Sequence, residues 1–373
     1  MHKQRNFGLD LIRVLAIGLV IMSHTAILIT PQANTNAIFL IKFFGALGVD
    51  VFFVLSGFLI GGIILDSIIK NAFTPKHILY FWVRRWFRTL PNYYLILLIN
   101  FVVTYYILGE SYTYIKYVFF AQNLWLPQPE FFSESWSLSI EEYAYVLIPL
   151  LLMLQSFKRG LTEKLFFKIT LITILCLMVL KIHYHIHIAN TVTNWSSSFR
   201  KVVIYRLDSI YIGFFGGYAL RFFGGYIFRN RLKLLLLSLI LFSTIHLIMW
   251  VCNVTPGQDS LFLNVFYLPL LSLLILMAFP FLMLLHATRP IQNIMAQISL
   301  RTYAWYLVNF SLVLLPLQTL FPVNQSSTLV YKVLLATAFI IISYSLAALL
   351  YKFYEKPIMD LRDSTYFKPL GNK

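Results

Sequence analysis

A chain of 373 residues that is 59% hydrophobic and only 12% charged, with mean hydropathy +0.76, is not an ordinary soluble globule, which carries about twice that charged fraction. The net charge of +16 would suggest nucleic acid in a soluble chain. Here most Lys and Arg lie between apolar stretches long enough to span lipid, so they set topology and touch anionic headgroups, and no nucleic-acid partner is expected.

Ten spans are predicted, at roughly 9–29, 38–65, 91–109, 137–155, 165–182, 202–222, 233–252, 261–285, 302–321 and 329–352. Lipid cannot satisfy open backbone groups, so each is helical, and the expected fold is an all-α integral membrane protein. With both termini cytoplasmic, the inner segments and their edges collect about 22 Lys and Arg against about six outside. The chain 1–373 therefore reads as one polytopic domain with no soluble domain appended. Cys176 and Cys252 lie in apolar runs and read as packing residues, forming neither a disulfide framework nor a metal ladder.

The first span follows a basic start, as a signal peptide would. Asp10 and Arg13 interrupt it and no small-x-small cleavage site follows, so it is read as retained. In "RVLAIGLVIMSH", Arg13 and His24 are three turns plus about 20° apart on a helix, hence on one face. His24 falls about 7 Å outward of the span's middle, and Arg13 about 16 Å below it. An intramembrane histidine either bonds to a neighbouring helix or acts as a base near neutral pH. Arg13 either pairs with Asp10 or snorkels to headgroups, or else binds an anion from inside.

The second span, "FFGALGVDVFFVLSGFLIGGIIL", sets Asp50 near the level of His24, as a partner that orients or charges the ring. Its glycines permit close helix approach. The inner connection "KNAFTPKHILYFWVRRWFRTLP" is basic and aromatic, as an interfacial helix would be. Arg84, Arg85 and Arg88 in it either anchor the chain to headgroups or clamp phosphates, with Arg85 and Arg88 on one face. The long, aromatic outer connection before residue 137 is read as a partly re-entrant cap. In "WSLSIEEYAY", Ser137 and Glu141 share a face. Glu141, Asp50 and His24 make an acid/base group at comparable depth. The run "HYHIH" (His183, His185, His187) is an outer polar loop, or three ligands on one face if extended, with no metal site expected. Arg206 and Asp208, at i and i+2, do not face each other. Each pairs with another span or with a ligand, and both are candidates for acceptor binding.

These motifs, together with the late "TYAWYL" and the final "YKFYEKP", run from residue 7 to about 362 and resemble the acyltransferase-3 family. That family's members are multi-span transferases moving acyl groups, often acetyl, onto extracytoplasmic sugars. The resemblance implies His24 as catalytic base or acyl acceptor, and Ser137 and Glu141 as the match to the family's S-x-x-x-E. It implies Arg13, Arg85 and Arg88, with Arg84 beside them, as the binding group for an acyl-CoA donor such as acetyl-CoA. It places the chain in the cytoplasmic (inner) membrane, among membrane lipid, with an acceptor such as lipopolysaccharide O-antigen or exopolysaccharide. Two departures stand out. Asn309 occupies a position where many members have histidine, and no fused esterase-like domain follows, so a separate periplasmic partner is a possibility. Two rival readings are a proton-coupled transporter and a non-catalytic partner in surface-polymer assembly.

Overall fold

The computed structural model describes residues 5–31, 36–156, 160–192, 194–254, 260–324 and 326–362. Its helices are α1 (Phe7–Ile29), α2 (Asn36–Ile69), α3 (Pro75–Val102), α4 (Ile115–Val118), α5 (Trp136–Ser156), α6 (Glu163–His187) and α7 (Leu207–Arg229). They continue as α8 (Arg231–Val251), α9 (Tyr267–Leu282), α10 (Arg289–Val308), α11 (Leu315–Leu320), α12 (Leu329–Leu350) and α13 (Lys356–Arg362). No strand occurs among the described residues. Capping follows the local sequence: Asn6 accepts from the Leu9 amide to open α1, and Thr74 with Pro75 opens α3.

Nine helical stretches among the described residues are long and apolar enough to cross a membrane. The predicted span 202–222 corresponds to α7, which has the length, but whose five glycines, Asp208 and Arg221 dilute its hydropathy. Its first half is nonetheless mostly buried, from Leu207 to Gly217, because those glycines let it seat against α2. Gly57 and Gly61 on α2 and Gly213 and Gly217 on α7 form two G-x-x-x-G faces in backbone contact. A Cβ on Gly61 would lie 2.6 Å from Cα of Phe214, and one on Gly213 2.6 Å from N of Phe58. Gly61→Val is therefore expected to force the helices apart and cost about 1–3 kcal/mol, lowering the midpoint of thermal unfolding in detergent. Gly18→Ala, where a new methyl meets nothing within 4 Å, should leave it unchanged.

Two connections differ from expectation. The basic, aromatic segment before residue 91 is not a separate interfacial helix but the first half of α3, which runs on through Pro91. "HYHIH" ends α6 rather than forming a loop, with the His183 and His187 rings one turn apart, tilted, their centroids 4.7 Å apart, and Nδ1 of His185 3.3 Å from the Asn264 amide. Helix is favoured because it satisfies the backbone where a strand would not. No group of three His, Cys, Asp or Glu fit to hold a metal occurs among the described residues. Cys176 and Cys252 are exposed on the outside of the bundle, not packed within it.

The outer connection is a clasp. Tyr93, Tyr117, Phe120, Phe131 and Phe132 bury one another, and the Tyr117 hydroxyl donates to the Phe131 carbonyl at 2.8 Å. Asn123 then ties this connection to the segment before α7, donating to the Lys201 carbonyl at 2.6 Å while its own carbonyl accepts from the Val203 amide at 2.9 Å. That tie holds residues 196–201 over one end of the bundle, beside His24.

Candidate active site

Helical periodicity carries Arg13 and His24 to one side of α1, and each opens onto its own cavity. The first cavity, about 120 Å³, is lined by Arg13, Ser56, Arg85, Arg88, Ser137 and Glu141, among others. The second, about 320 Å³, holds His24 with Glu134, Lys42, Arg200, Lys201 and Phe310 in its wall. Val49 and Tyr306 belong to both walls, so the cavities abut there. A thread of hydrogen bonds crosses that boundary: the Tyr306 hydroxyl pairs with Ser137 Oγ at 2.8 Å and donates to the Glu134 carbonyl at 3.1 Å.

His24 is held by Asn309. The Asn309 amide nitrogen donates to the carbonyls of Trp305 (2.8 Å) and Tyr306 (2.7 Å), which fixes its side-chain oxygen as the atom facing His24. Nδ1 of His24 must then carry the proton it donates to Asn309, and the basic lone pair is on Nε2. Nε2 has no hydrogen-bond partner among the described residues. Asn309 begins a π-helical run, Asn309–Leu314, that interrupts the helix continuing from α10, and such wide turns recur at functional sites. The same run supplies Phe310, whose ring lies 5.1 Å from the imidazole, and Ser311.

Asp50 is not the partner of His24. It is ion-paired with Arg206, and Arg200 approaches it at 3.7 Å. Arg206 and Asp208 line neither cavity. Both are fully buried: Arg206 is spent on Asp50 and on Ser209 at 2.5 Å, Asp208 on Lys181. Each is thus placed in an ion pair and away from both cavities, as a charge sealed in the bundle persists only with a partner. Glu141 likewise lies with the arginines, not with His24. It accepts from Arg85 at 2.5 Å and from Tyr145 at 2.6 Å, and the Arg85 guanidinium sits 4.1 Å over the Tyr145 ring.

The arginines divide. Arg85 is braced by Glu141 and Tyr145 with its Nε unbonded. Arg13 touches Asp10 at 3.2 Å, although Asp10 is already held bidentately by Arg5. Arg88 makes no hydrogen bond or ion pair among the described residues and faces the cavity. Arg84 lies outside it, bonded to the Tyr80 hydroxyl at 3.3 Å, and leaves the cluster. Three guanidiniums with spare donors around one cavity suit phosphate oxygens.

Two residues that reading the sequence passed over stand next to His24. Glu134 accepts from Ser311 Oγ at 2.5 Å and from the Ser311 amide at 3.2 Å, and its second oxygen is buried with no partner. A carboxylate two residues before "WSLS" was the available signal. Lys201 lies outside the spans. Burial first, then the repulsion of Arg200, lowers its ammonium from 10.5 to about 8, against an opposing pull from Glu134.

These features define a polytopic helical bundle with a basic, phosphate-suited cavity at one level and a base-bearing cavity at the other. The chain belongs to the acyltransferase-3 family, whose profile, described as an acyltransferase domain, matches residues 6–351. It is 31% identical over 127 residues to the peptidoglycan O-acetyltransferase OatA of Listeria monocytogenes, covering 29% of this chain and 20% of that protein. It is 31% identical over 145 residues to an uncharacterized Haemophilus influenzae protein, covering 35% and 58%. A Staphylococcus aureus protein provisionally named an O-acetyltransferase is 28% identical over 161 residues, covering 39% of this chain and 24% of its own length. The matches thus span between a fifth and about three-fifths of these curated relatives. No solved structure matches.

Proposed function

We propose that this protein is a membrane O-acyltransferase that takes an acyl group, most simply acetyl, from cytoplasmic acyl-CoA and places it on a hydroxyl of an extracytoplasmic glycan, working in the inner membrane. The observation that carries this reading is the pair of abutting cavities. Guanidiniums line one, His24 with a free Nε2 lines the other, and about 16 Å of α1 separates them. Arg13, Arg85 and Arg88 hold the CoA phosphates, and the thin pantetheine arm passes Ser56 and Ser137 toward Tyr306. The thioester then meets the acceptor at His24. Nε2 takes the hydroxyl proton as the oxygen bonds the carbonyl carbon, the C–S bond breaks, and the sulfur leaves with that proton. In the two-step form Nε2 bonds the acyl carbon as the C–S bond breaks and the thiolate leaves; the hydroxyl oxygen then bonds that carbon as the C–Nε2 bond breaks, and the hydroxyl proton goes to the thiolate. The name of the Listeria relative supports O-acetyl transfer to an envelope glycan; lipopolysaccharide O-antigen and exopolysaccharide fit the same chemistry.

The test is release of CoA thiol from acetyl-CoA by the protein in lipid nanodiscs, with label appearing on a glycan. Arg88→Ala is expected to raise the donor KM about tenfold or more, the worth of one charged hydrogen bond, with a smaller effect on kcat. Arg88 is the cleaner probe, since Arg85→Ala also strands Glu141. An unchanged donor KM would argue against the clamp. Solute counterflow in proteoliposomes without acyl-CoA would instead favour a carrier.

A further inference from the structure

The His24 cavity contains more positive charge than its chemistry needs. The outer side of the chain holds about six Lys and Arg in all, and three of them, Lys42, Arg200 and Lys201, converge on this cavity. Cations are scarce on the outer side, so three at one cavity call for a reason beyond topology. Arg200 is partly occupied: it donates to the Ala46 carbonyl at 3.0 Å, lies 4.9 Å over the Trp136 ring and leans on Asp50. Asp50 is itself neutralised by Arg206. That leaves Glu134 as the one carboxylate in the wall; it acts on Lys201 through its field, but one carboxylate does not balance three cations. Lys201 makes no ion pair among the described residues, and neither does Lys42 at the rim. Lys42 is exposed at the rim and keeps its water, whereas Lys201 is partly buried, and an ammonium drawn from bulk water gains from a ligand that supplies counter-charge.

We propose that Lys201 and Lys42, backed by Arg200, form an anion subsite that selects an acceptor glycan bearing a carboxylate or phosphate group close to the hydroxyl that is acylated. The inference rests on the acyltransferase reading above and names the chemical class of its acceptor. At about 320 Å³ the cavity is at the small end of ligand sites, so it takes the acylated sugar and its charged neighbour and not a long oligomer. The charge then registers the acceptor: with the anion on Lys201, whose field reaches both Glu134 and His24, one hydroxyl is left facing the imidazole.

The experiment uses membranes of cells producing the wild type or the Lys42→Gln/Lys201→Gln double variant, given radiolabelled acetyl-CoA. Labelled glycan is fractionated on an anion exchanger. Label is expected in the retained, anionic fraction, falling about tenfold or more in the double variant and returning in Lys42→Arg/Lys201→Arg. Release of the charge by hydrofluoric acid marks a phosphodiester, and its resistance marks a carboxylate. Binding of desulfo-CoA by the purified variants reports that the bundle is folded. Label confined to neutral glycan overturns the subsite, and so does a folded double variant that labels anionic glycan as the wild type does. Absence of labelled glycan from the wild type itself would instead count against acyl transfer.

Discussion

Replacing His24 by alanine is expected to slow acyl transfer about 10²–10⁴-fold, the usual contribution of a positioned general base, while expression and CoA binding persist. The reasoning runs through Asn309. Its amide is anchored to two backbone carbonyls, so it accepts from Nδ1 and the ring offers Nε2 to the reaction. Asn309→Leu should therefore also lower kcat, because the tautomer is no longer imposed, but by less than loss of the ring. Added imidazole is expected to recover part of the His24→Ala rate, which a merely structural histidine would not allow. Thiol release at the wild-type rate by His24→Ala would remove the imidazole from the mechanism.

The largest effect on stability is expected at the Lys181–Asp208 pair, where both side chains have 0% exposure. Lys181→Met strands the Asp208 carboxylate in the bundle, and breaking such a pair costs about 3–5 kcal/mol. The double variant Lys181→Met/Asp208→Leu removes both charges and should regain most of that loss, since a buried pair is often replaceable by apolar residues of similar volume. Yield and thermal unfolding in detergent measure the first point. Acyl transfer by the double variant measures the second: activity near wild type fits a structural pair, whereas a folded but inactive double variant would return Asp208 to acceptor binding.

Much of this arrangement is written in local spacing. A period of 3.6 residues places Arg13 and His24 on one side of α1 and gathers Arg85 and Arg88, and the structure opens both groups onto cavities. Hydropathy locates the long helices, but not that α3 starts at Pro75, that α6 runs on through His187, or that α7 trades apolarity for glycine contacts with α2. Pairing across the bundle is another matter. His24 and Asn309 are 285 residues apart, and Asp50 and Arg206 are 156 apart. A charge at the right depth has several possible partners, and only packing selects among them. Depth made Asp50 look like the companion of His24, yet the turn of α2 gives it to Arg206. The π-helical run that swings Asn309, Phe310 and Ser311 toward α1 and Glu134 has no reliable mark in the residue pattern.

The wall common to the two cavities bears on the ion permeability of the cell. A continuous aqueous passage from arginine cluster to imidazole would leak protons and dissipate the gradient the membrane maintains. Val49 and Tyr306, with the Tyr306 hydroxyl committed to Ser137 and the Glu134 carbonyl, stand between the two cavities instead. On the proposed reading only the pantetheine arm reaches across and only the acyl group is left behind, while nucleotide and sugar each stay in their own compartment.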